Sequence, residues 1–197
     1  HVTLAKETDA NIVYGPTAQT NFDCLIAKDN QEFKVGKLTI QAIHTPGHTL
    51  ESTCYLLKDE NNKEIAIFTG DTLFLGDVGR PDLAQQNMKL TKEELAGKLY
   101  DSLRNKIMNL PDDIIIYPAH GAGSACGKNM MNITSDSLAN QKKLNYALNK
   151  NLSKESFVLA VLDGLEDPPK YFPSNVKMNK EGYEDIDNIL KKNQALS

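Results

Sequence analysis

The sequence predicts an α/β fold of the α+β type, compatible with half of an αβ/βα sandwich. Strand-length runs that alternate or are wholly apolar dominate residues 1–70. The second half instead carries apolar residues at helical spacing, with Leu95, Leu99 and Leu103 four residues apart. Three of the predicted strands end in a loop that carries a metal-capable side chain. A sheet formed mainly by the first half of the chain, helices from the second half that cover it, and polar loops at one sheet edge together favour this fold class.

The first 70 residues are predicted to form one antiparallel sheet, preceded by a short helix over residues 2–8. The segment 21–28 is ambiguous between irregular chain and an edge strand. The predicted strands cover residues 11–16, 38–43, 52–57 and 64–69, and residues 32–37 form a hairpin turn at Gly36. Because strands joined by short connections usually pair with their neighbours in sequence, we expect antiparallel pairing.

The second half is predicted to be mainly helical. Thr91 and Glu94 form the pattern of a capping box, so a helix begins there and runs to Ile107. A strand over 114–117 returns to the sheet. The remaining predicted elements are a helix over 134–148, a helix over 153–164 capped by Ser153, an extended Pro-stiffened arm over 167–173, and a short helix over 184–192.

This pattern predicts two parts of unequal size. Residues 1–165 form the main domain, and residues 166–197 form a Pro-rich arm with a short helix, which could link to a following domain. The length of 197 residues is enough for one sizeable hydrophobic core.

Composition excludes several function classes and suggests a compartment. The net charge of −4 gives no reason to expect nucleic acid or an anionic membrane as partner. No apolar run approaches the roughly 18 residues of a membrane span. The cysteines, Cys24, Cys54 and Cys126, are odd in number and form no CxxC pair. We therefore expect reduced thiols and a cytoplasmic protein.

The metal-capable side chains follow strand ends in three places. His48 lies in Thr45–Thr49, Asp71 in Thr69–Leu73 and His120 in the loop after Ile114–Tyr117. Each loop can lift its side chain out of the sheet, and imidazole with carboxylate is a good ligand set for zinc or iron. A structural histidine and a turn aspartate that bonds its own backbone are the alternatives for His48 and Asp71. The repetition favours a metal site, whereas His44 is interpreted as structural and His1 as a residue on the surface of a helix.

Other candidates lie close to these loops in sequence. Arg80 and Asp82 form either a surface ion pair or part of a pocket, in which the guanidinium fork holds a substrate carboxylate. Cys126 lies in a loop of small residues and is either a reactive thiol beside a metal or an inert buried cysteine. Cys24 and Cys54 are interpreted as core residues.

The order of the segments TPGHT, GDTLF and YPAHG resembles that of the metallo-β-lactamase superfamily. The segments GDVGRPDL and YPAHGAGSACGKN resemble the persulfide dioxygenase branch, in the subgroup often fused to rhodanese domains. This resemblance implies the αβ/βα sandwich, with residues 1–165 as the C-terminal portion of the domain. The superfamily's first metal motif, His-x-His-x-Asp-His, is not found in these residues. We therefore expect the chain to begin just after it.

The resemblance implies a non-haem Fe(II) persulfide dioxygenase in sulfur metabolism, which oxidises the sulfane sulfur of a low-molecular-weight thiol persulfide to sulfite. One iron per chain is implied, held by His48, Asp71 and one histidine from the upstream motif, with an open face for O2 and substrate. Arg80 would orient the thiol carrier. His120 is retained in the iron branch without being a ligand, but binds the second ion in two-metal members.

Two alternatives are kept open. The first is a glyoxalase II-like thioester hydrolase with zinc, one or two ions per chain, in which His120 is a ligand. The second is a metal-poor binding or scaffold module, if the mature chain begins at His1. We also expect a homo-oligomer, because a sheet that lacks upstream strands exposes an apolar edge that invites pairing.

Overall fold

A computed structural model describes residues 1–83 and 90–183 of the chain. A six-stranded mixed sheet lies at the centre of the molecule. Its strands lie side by side in chain order. They are β3 (Glu32–Val35), β4 (Leu38–His44), β5 (Thr53–Lys58), β6 (Glu64–Gly70), β7 (Ile115–Pro118) and β8 (Asp136–Ser137). Before them come helix α1 (Val2–Thr8) and two short parallel strands, β1 (Val13–Tyr14) and β2 (Leu25–Ile26).

Strand direction follows the length of each connection. The strands β3, β4, β5 and β6 are joined by short loops and pair antiparallel, as the sequence predicts. The turn between β3 and β4 contains Gly36 at φ +59°, a conformation that glycine adopts without a steric penalty. β7 pairs parallel with β6, because a long connection that includes a helix separates them. The prediction of one antiparallel sheet covers residues 1–70 and is wrong for β1 and β2, which pair parallel with each other in a separate two-stranded sheet.

The helix after β6 begins where the sequence places it. In α2 (Lys92–Ser102) the Thr91 side chain accepts a hydrogen bond from the Glu94 N–H, and the Glu94 carboxylate accepts one from the Thr91 N–H. This reciprocal capping box satisfies two of the donors left free at a helix start. One π-helical turn, Leu103–Ile107, continues the helix.

The segment 134–148 departs from the single helix that the sequence predicts. Asp136–Ser137 first pair with β7 as strand β8, and the Ser137 side chain then caps α3 (Leu138–Leu144). Asn145 ends α3, because its buried side chain donates hydrogen bonds to the backbone carbonyls of Phe74 and Asp77. A 3-10 turn, Tyr146–Leu148, follows. Long-range bonds at both ends thus override the local helical preference.

The C-terminal part contains two further helices. Ser153 caps α4 (Lys154–Leu162), as predicted. The predicted extended arm is wrong at Phe172 and Pro173, which begin helix α5 (Phe172–Glu181). Proline suits a first helical turn because its φ is already helical and its missing N–H is not needed there. The predicted helix over 184–192 lies outside the described residues.

One face of the sheet packs against the helices and forms the core. Leu95, Leu99, Leu103 and Ile107, which the sequence places on one helical face, are all fully buried. Leu99, Leu103 and Ile107 belong to one cluster with sheet residues such as Ile67 and Ile116, and side chains of α4 complete this cluster. The helical periodicity therefore identifies the core correctly.

The other face of the sheet is apolar but partly open. The rings of Phe68 and Tyr117 stack there with centroids 5.6 Å apart, and they remain 44% and 42% exposed. The expectation that the chain forms a homo-oligomer stays a prediction. Among the described residues, no helix is long and apolar enough to cross a membrane.

We predict that Gly47→Ala destabilises the fold. An added Cβ at Gly47 would lie 2.4 Å from Cβ and 2.5 Å from Cα of Leu99, so α2 or the turn would have to move. Overpacking of this kind costs about 1–3 kcal/mol in the free energy of unfolding. Denaturant unfolding measures the loss.

Gly121→Ala is the matched control. Its added Cβ meets nothing within 4 Å, so its effect should stay within about 0.5 kcal/mol. Equal unfolding free energies for the two variants would show that the contact between the turn and α2 is not tight.

Candidate metal centre

Hydrogen bonds bind the three strand-end loops to one another. The loops after β4 and β6 meet at the hydroxyl groups of Thr45 and Thr72, which lie 2.8 Å apart and are both buried. The loop after β7 joins them because the Ala119 N–H donates to the carbonyl of Gly70. The loops therefore form one unit at this edge of the sheet, from which His48, Asp71 and His120 project.

His48 is buried and held in one tautomer. Its Nδ1–H donates a hydrogen bond to the backbone carbonyl of Arg80 at 2.8 Å, so a neutral ring carries its free lone pair on Nε2. Nε2 lies 3.3 Å from Oδ2 of Asp71. A histidine oriented through its second nitrogen in this way is typical of metal ligands.

The close approach of Arg80 to His48 depends on Gly79. A Cβ at Gly79 would lie 1.9 Å from the carbonyl oxygen of Asp71 and 3.2 Å from Nδ1 of His48. Only glycine therefore lets this segment pass between the two strand-end loops.

Asp71 lies between two imidazole rings. Its Oδ2 faces His48, and its Oδ1 lies 3.2 Å from Nε2 of His120. His120 is more exposed than His48, and its ring edge contacts Phe74 with centroids 5.9 Å apart. The structure thus brings together all three residues that the strand-end pattern singled out.

Cys126 adds a fourth donor group. Its sulfur, one ring nitrogen of His120 and one carboxylate oxygen of Asp71 all lie within 4.8 Å of one another. Burial is the largest influence on the Cys126 thiol and raises its pKa. The hydrogen bond with Ser124 opposes this, the charge of Asp71 adds to it and the charge of Arg80 opposes it, so the pKa is raised overall. The protein's own groups therefore favour the thiol over the thiolate.

These residues fit a metal ion, and the clearest sign is one oxygen atom. Oδ1 of Asp71 is buried and accepts no hydrogen bond, although Nε2 of His120 is only 3.2 Å away. A buried carboxylate oxygen without a hydrogen bond lowers the stability of the fold, and a bound cation would remove this cost. Imidazole nitrogen, carboxylate oxygen and thiolate sulfur all suit zinc or iron.

Arg80 is occupied by partners within the protein. Its Nε and Nη2 donate to the two carboxylate oxygens of Asp82 at 2.8 and 2.6 Å, and Nη2 also donates to the carbonyl of Glu166. Hydrogen bonding to Asp82 raises the pKa of the guanidinium, which stays charged. Of the two alternatives from the sequence, a surface ion pair and a fork for a substrate carboxylate, the structure shows an ion pair with Asp82, which is largely buried. The Arg80 carbonyl meanwhile positions His48.

Asp77 is a residue of this region that the sequence analysis did not single out. Its buried carboxylate accepts hydrogen bonds from the N–H groups of Val78, Lys128 and Asn129 and from the hydroxyl of Tyr146. It therefore ties the loop that carries Cys126 to the loop that carries Arg80. The only local signal was an acidic residue between two glycines in Gly76–Gly79.

The remaining histidines and cysteines are structural in their contacts. His44 hydrogen-bonds through Nε2 to the carbonyl of Leu50 at 2.7 Å. His1 is half-buried against the rings of Phe22 and Tyr183, more enclosed than the surface position expected for it. Cys54 is fully buried, and burial raises its pKa to about 11, whereas Cys24 is only half-buried.

A cavity of about 670 Å³ opens above the candidate metal centre. His48, Asp71, His120 and Cys126 line it, together with residues of α5. This size suits a small organic molecule, because ligand pockets span roughly 300–1,000 Å³.

The chain is similar to two solved structures. It superposes on a metallo-β-lactamase from Staphylococcus aureus subsp. aureus COL with a TM-score of 0.82 at 31% identity, over 92% of this chain and 54% of that chain. The crystal structure of ETHE1 from Myxococcus xanthus matches with a TM-score of 0.72 at 29% identity, over 91% of this chain and 69% of that chain.

A curated relative is also similar. A probable hydroxyacylglutathione hydrolase from Schizosaccharomyces pombe is 32% identical over 120 residues, which are 61% of this chain and 42% of that protein. The chain spans between 32% and 42% of the length of the first curated relatives that it matches. No protein-family model matches it.

We predict that His48→Ala weakens binding of Zn²⁺ and Fe²⁺, because it removes a nitrogen that faces Asp71. The loss should exceed the roughly 10- to 100-fold effect of removing a residue that only supports a ligand. Competition with a chromophoric chelator measures the dissociation constants.

His44→Ala is the matched control for this change. It removes an imidazole four positions earlier whose Nε2 is bonded to a backbone carbonyl, so metal affinity should stay unchanged. Equal metal affinities for the His48 and His44 variants would exclude His48 as a ligand.

Proposed function

The chain belongs to the metallo-β-lactamase superfamily, and we propose that it is a metal-dependent enzyme, specifically an Fe(II) persulfide dioxygenase. The observation that carries the metal-dependent chemistry is the carboxylate of Asp71, which lies between two histidine nitrogens and has one buried oxygen, Oδ1, without a hydrogen bond. The substrate under this proposal is a thiol persulfide, which together with dioxygen and water becomes free thiol, sulfite and protons.

The dioxygenase is supported by two segments that resemble that branch. They are Gly76–Leu83 and Tyr117–Asn129, and in the structure they pack against each other beside Asp71. The Arg80 N–H donates to the carbonyl of Cys126 at 3.0 Å, and Asp77 accepts from two backbone N–H groups of the second segment. The likeness to the ETHE1 structure supports the same choice.

The protein's residues have separable tasks under this proposal. An iron ion would supply electron exchange with dioxygen, whereas zinc in the alternative would activate water. His48 presents Nε2 because the Arg80 carbonyl holds its other nitrogen. His120 can donate a proton or a hydrogen bond beside Asp71, and Cys126 places a thiol next to the reacting sulfur.

Arg80 and Asp82 have a supporting task in the same proposal. Their ion pair holds the Glu166 carbonyl, and with it the chain segment that leads to the cavity wall. Both residues thus shape the space in which the thiol carrier is bound.

A thioester hydrolase with zinc is the second candidate. It is favoured by the symmetry of Asp71, whose two oxygens lie at nearly equal distances from His48 and His120 and could bridge two ions. The likeness to a probable hydroxyacylglutathione hydrolase supports it as well.

We further propose that the protein acts in the cytoplasm. The cysteines Cys24, Cys54 and Cys126 are all free, as expected in a reducing compartment.

We predict that His120→Ala leaves the metal content near one ion per chain and lowers turnover by roughly 10- to 100-fold, because His120 then supports the site without holding the ion. Elemental analysis and steady-state kinetics of the full-length protein measure both quantities. A fall from two ions to one would instead assign His120 as a ligand of a second metal.

A further prediction concerns the reaction that the protein catalyses. The iron-loaded protein should consume dioxygen when given a glutathione-type persulfide and release sulfite, because the sulfane sulfur is oxidised. An oxygen electrode and a sulfite assay measure this. The zinc-loaded protein serves as the control and should consume none. Absence of oxygen uptake together with rapid thioester hydrolysis would replace the dioxygenase by the hydrolase.

A further inference from the structure

A π-helical turn contacts the stretch of chain that leads into His48. At Leu103–Ile107 the helix that begins as α2 widens, and the Met108 N–H donates to the carbonyl of Leu103, five positions earlier. Turns of this kind are rare in proteins and occur often at functional sites. The side chains in and next to this turn are therefore candidates for a role in the metal centre.

The wider turn sets which side chains of the helix face the sheet. Side chains four positions apart on an α-helix are rotated by about 40°, so three such steps would carry Ile107 about 120° away from Leu95. Both residues are nevertheless fully buried. A π turn contains more residues than an α turn and so reduces this rotation. Ile107 thus stays in the core, and the neighbouring side chain of Lys106 reaches the end of β4.

Two side chains of this region hold the chain that leads into His48. The buried hydroxyl of Ser102 donates to the carbonyl of Pro46 at 2.8 Å. The ammonium group of Lys106 donates to the carbonyl of His44 at 2.6 Å. One helix therefore holds the backbone at two points, two and four positions before the candidate metal ligand.

Asp29 completes the second of these contacts. Its Oδ2 accepts a hydrogen bond from the ammonium group of Lys106 at 2.7 Å, and its Oδ1 accepts one from the N–H of His44 at 2.8 Å. The ion pair thus binds both backbone groups of His44. Because half-exposed ion pairs contribute little to stability, the main consequence of this one is the position of the strand end.

The turn between these contacts and His48 lies directly on the helix. A Cβ added at Gly47 would lie 2.4 Å from the Cβ of Leu99, so the backbone of the turn already touches α2. His48 is the next residue, and its Nδ1–H donates to the carbonyl of Arg80. The position of its Nε2 therefore depends on the helix as well as on Arg80.

We propose that Ser102 and Lys106 are positioning residues for His48, and that the π turn presents both of them to the His48 loop. Two bonds from one packed helix keep the imidazole at a fixed distance from Asp71, which reduces the rearrangement needed when a metal ion binds. The inference rests on the proposed function only in that His48 is a metal ligand.

The affinity of the full chain for Zn²⁺, measured by competition with a chromophoric chelator, tests this proposal. Lys106→Met keeps the apolar stem and removes both bonds of the ammonium group. It should weaken Zn²⁺ binding by roughly 3- to 10-fold, less than the 10- to 100-fold effect of a residue that bonds a ligand side chain directly. Ser102→Ala should give a loss of the same order. Lys106→Arg should retain most of the affinity, because a guanidinium group can still donate to both acceptors.

Lys154→Met is the matched control. It breaks an ion pair of similar length, 2.6 Å, which joins α4 to Asp101 of α2 and not to the strand end before His48. Its Zn²⁺ affinity should equal that of the parent, and denaturant unfolding gives the stability of each variant. An equal loss of affinity in Lys154→Met and Lys106→Met would assign the effect to general stability and overturn the proposal.

A double-mutant cycle separates positioning of His48 from a general effect on the site. If Lys106 acts through His48, Lys106→Met should cause no further loss of Zn²⁺ affinity in the His48→Ala protein. The same loss in the parent and in the His48→Ala protein would overturn the positioning role.

The failure of this inference and the failure of the proposed function give different results. Loss of Zn²⁺ affinity in Lys106→Met and Ser102→Ala, without oxygen uptake by the iron-loaded parent, would keep the positioning role and exclude the dioxygenase. Oxygen uptake by the parent, with unchanged Zn²⁺ affinity in both variants, would keep the dioxygenase and exclude the positioning role.

Discussion

The contacts of Arg80 hold the candidate metal centre together. Its carbonyl accepts the hydrogen bond that orients His48, its N–H donates to Cys126, and its guanidinium pairs with Asp82. The guanidinium also holds the carbonyl of Glu166. Because these groups come from separate parts of the chain, one residue links the ring of His48, the loop that carries Cys126 and the chain segment at Glu166 that precedes α5. The buried guanidinium charge of Arg80 can link these groups only because Asp82 pairs with it in a bidentate geometry.

The sheet supplies the rigid frame for this arrangement. The strand-end loops project from β4, β6 and β7 of one sheet, and the buried Thr45–Thr72 contact joins the first two of them. The helices on one face pack tightly against the sheet, and Gly47 allows the first loop to lie directly on α2. Side chains that emerge from such a frame can hold a fixed geometry, as a metal centre requires.

Two features of the site leave its chemistry tunable. Asp71 presents both carboxylate oxygens to imidazole nitrogens, so the same residues can accommodate one ion or share two. Part of the cavity lining comes from α5, which is separate from the loops that carry His48, Asp71 and His120. The candidate metal ligands and this part of the lining therefore come from different parts of the chain.

The sequence by itself determined the core face of α2 and the three strand-end loops. Leu99 and Ile107 are buried because helical periodicity is a local property, and His48, Asp71 and His120 follow strands whose apolar runs are visible in sequence. Only the tertiary structure decided the parallel pairing of β6 with β7, the strand at Asp136–Ser137 and the helix begun by Phe172 and Pro173.

The same division applies to the site. Residue types and spacing indicated which groups could bind a metal, but not that Asp82 would occupy the Arg80 fork or that Asp77 would anchor the Cys126 loop. These outcomes depend on which partners lie within hydrogen-bond distance after folding. Contacts between residues far apart in sequence carry no local signal, because the free energy that selects them comes from burial and pairing in the assembled fold.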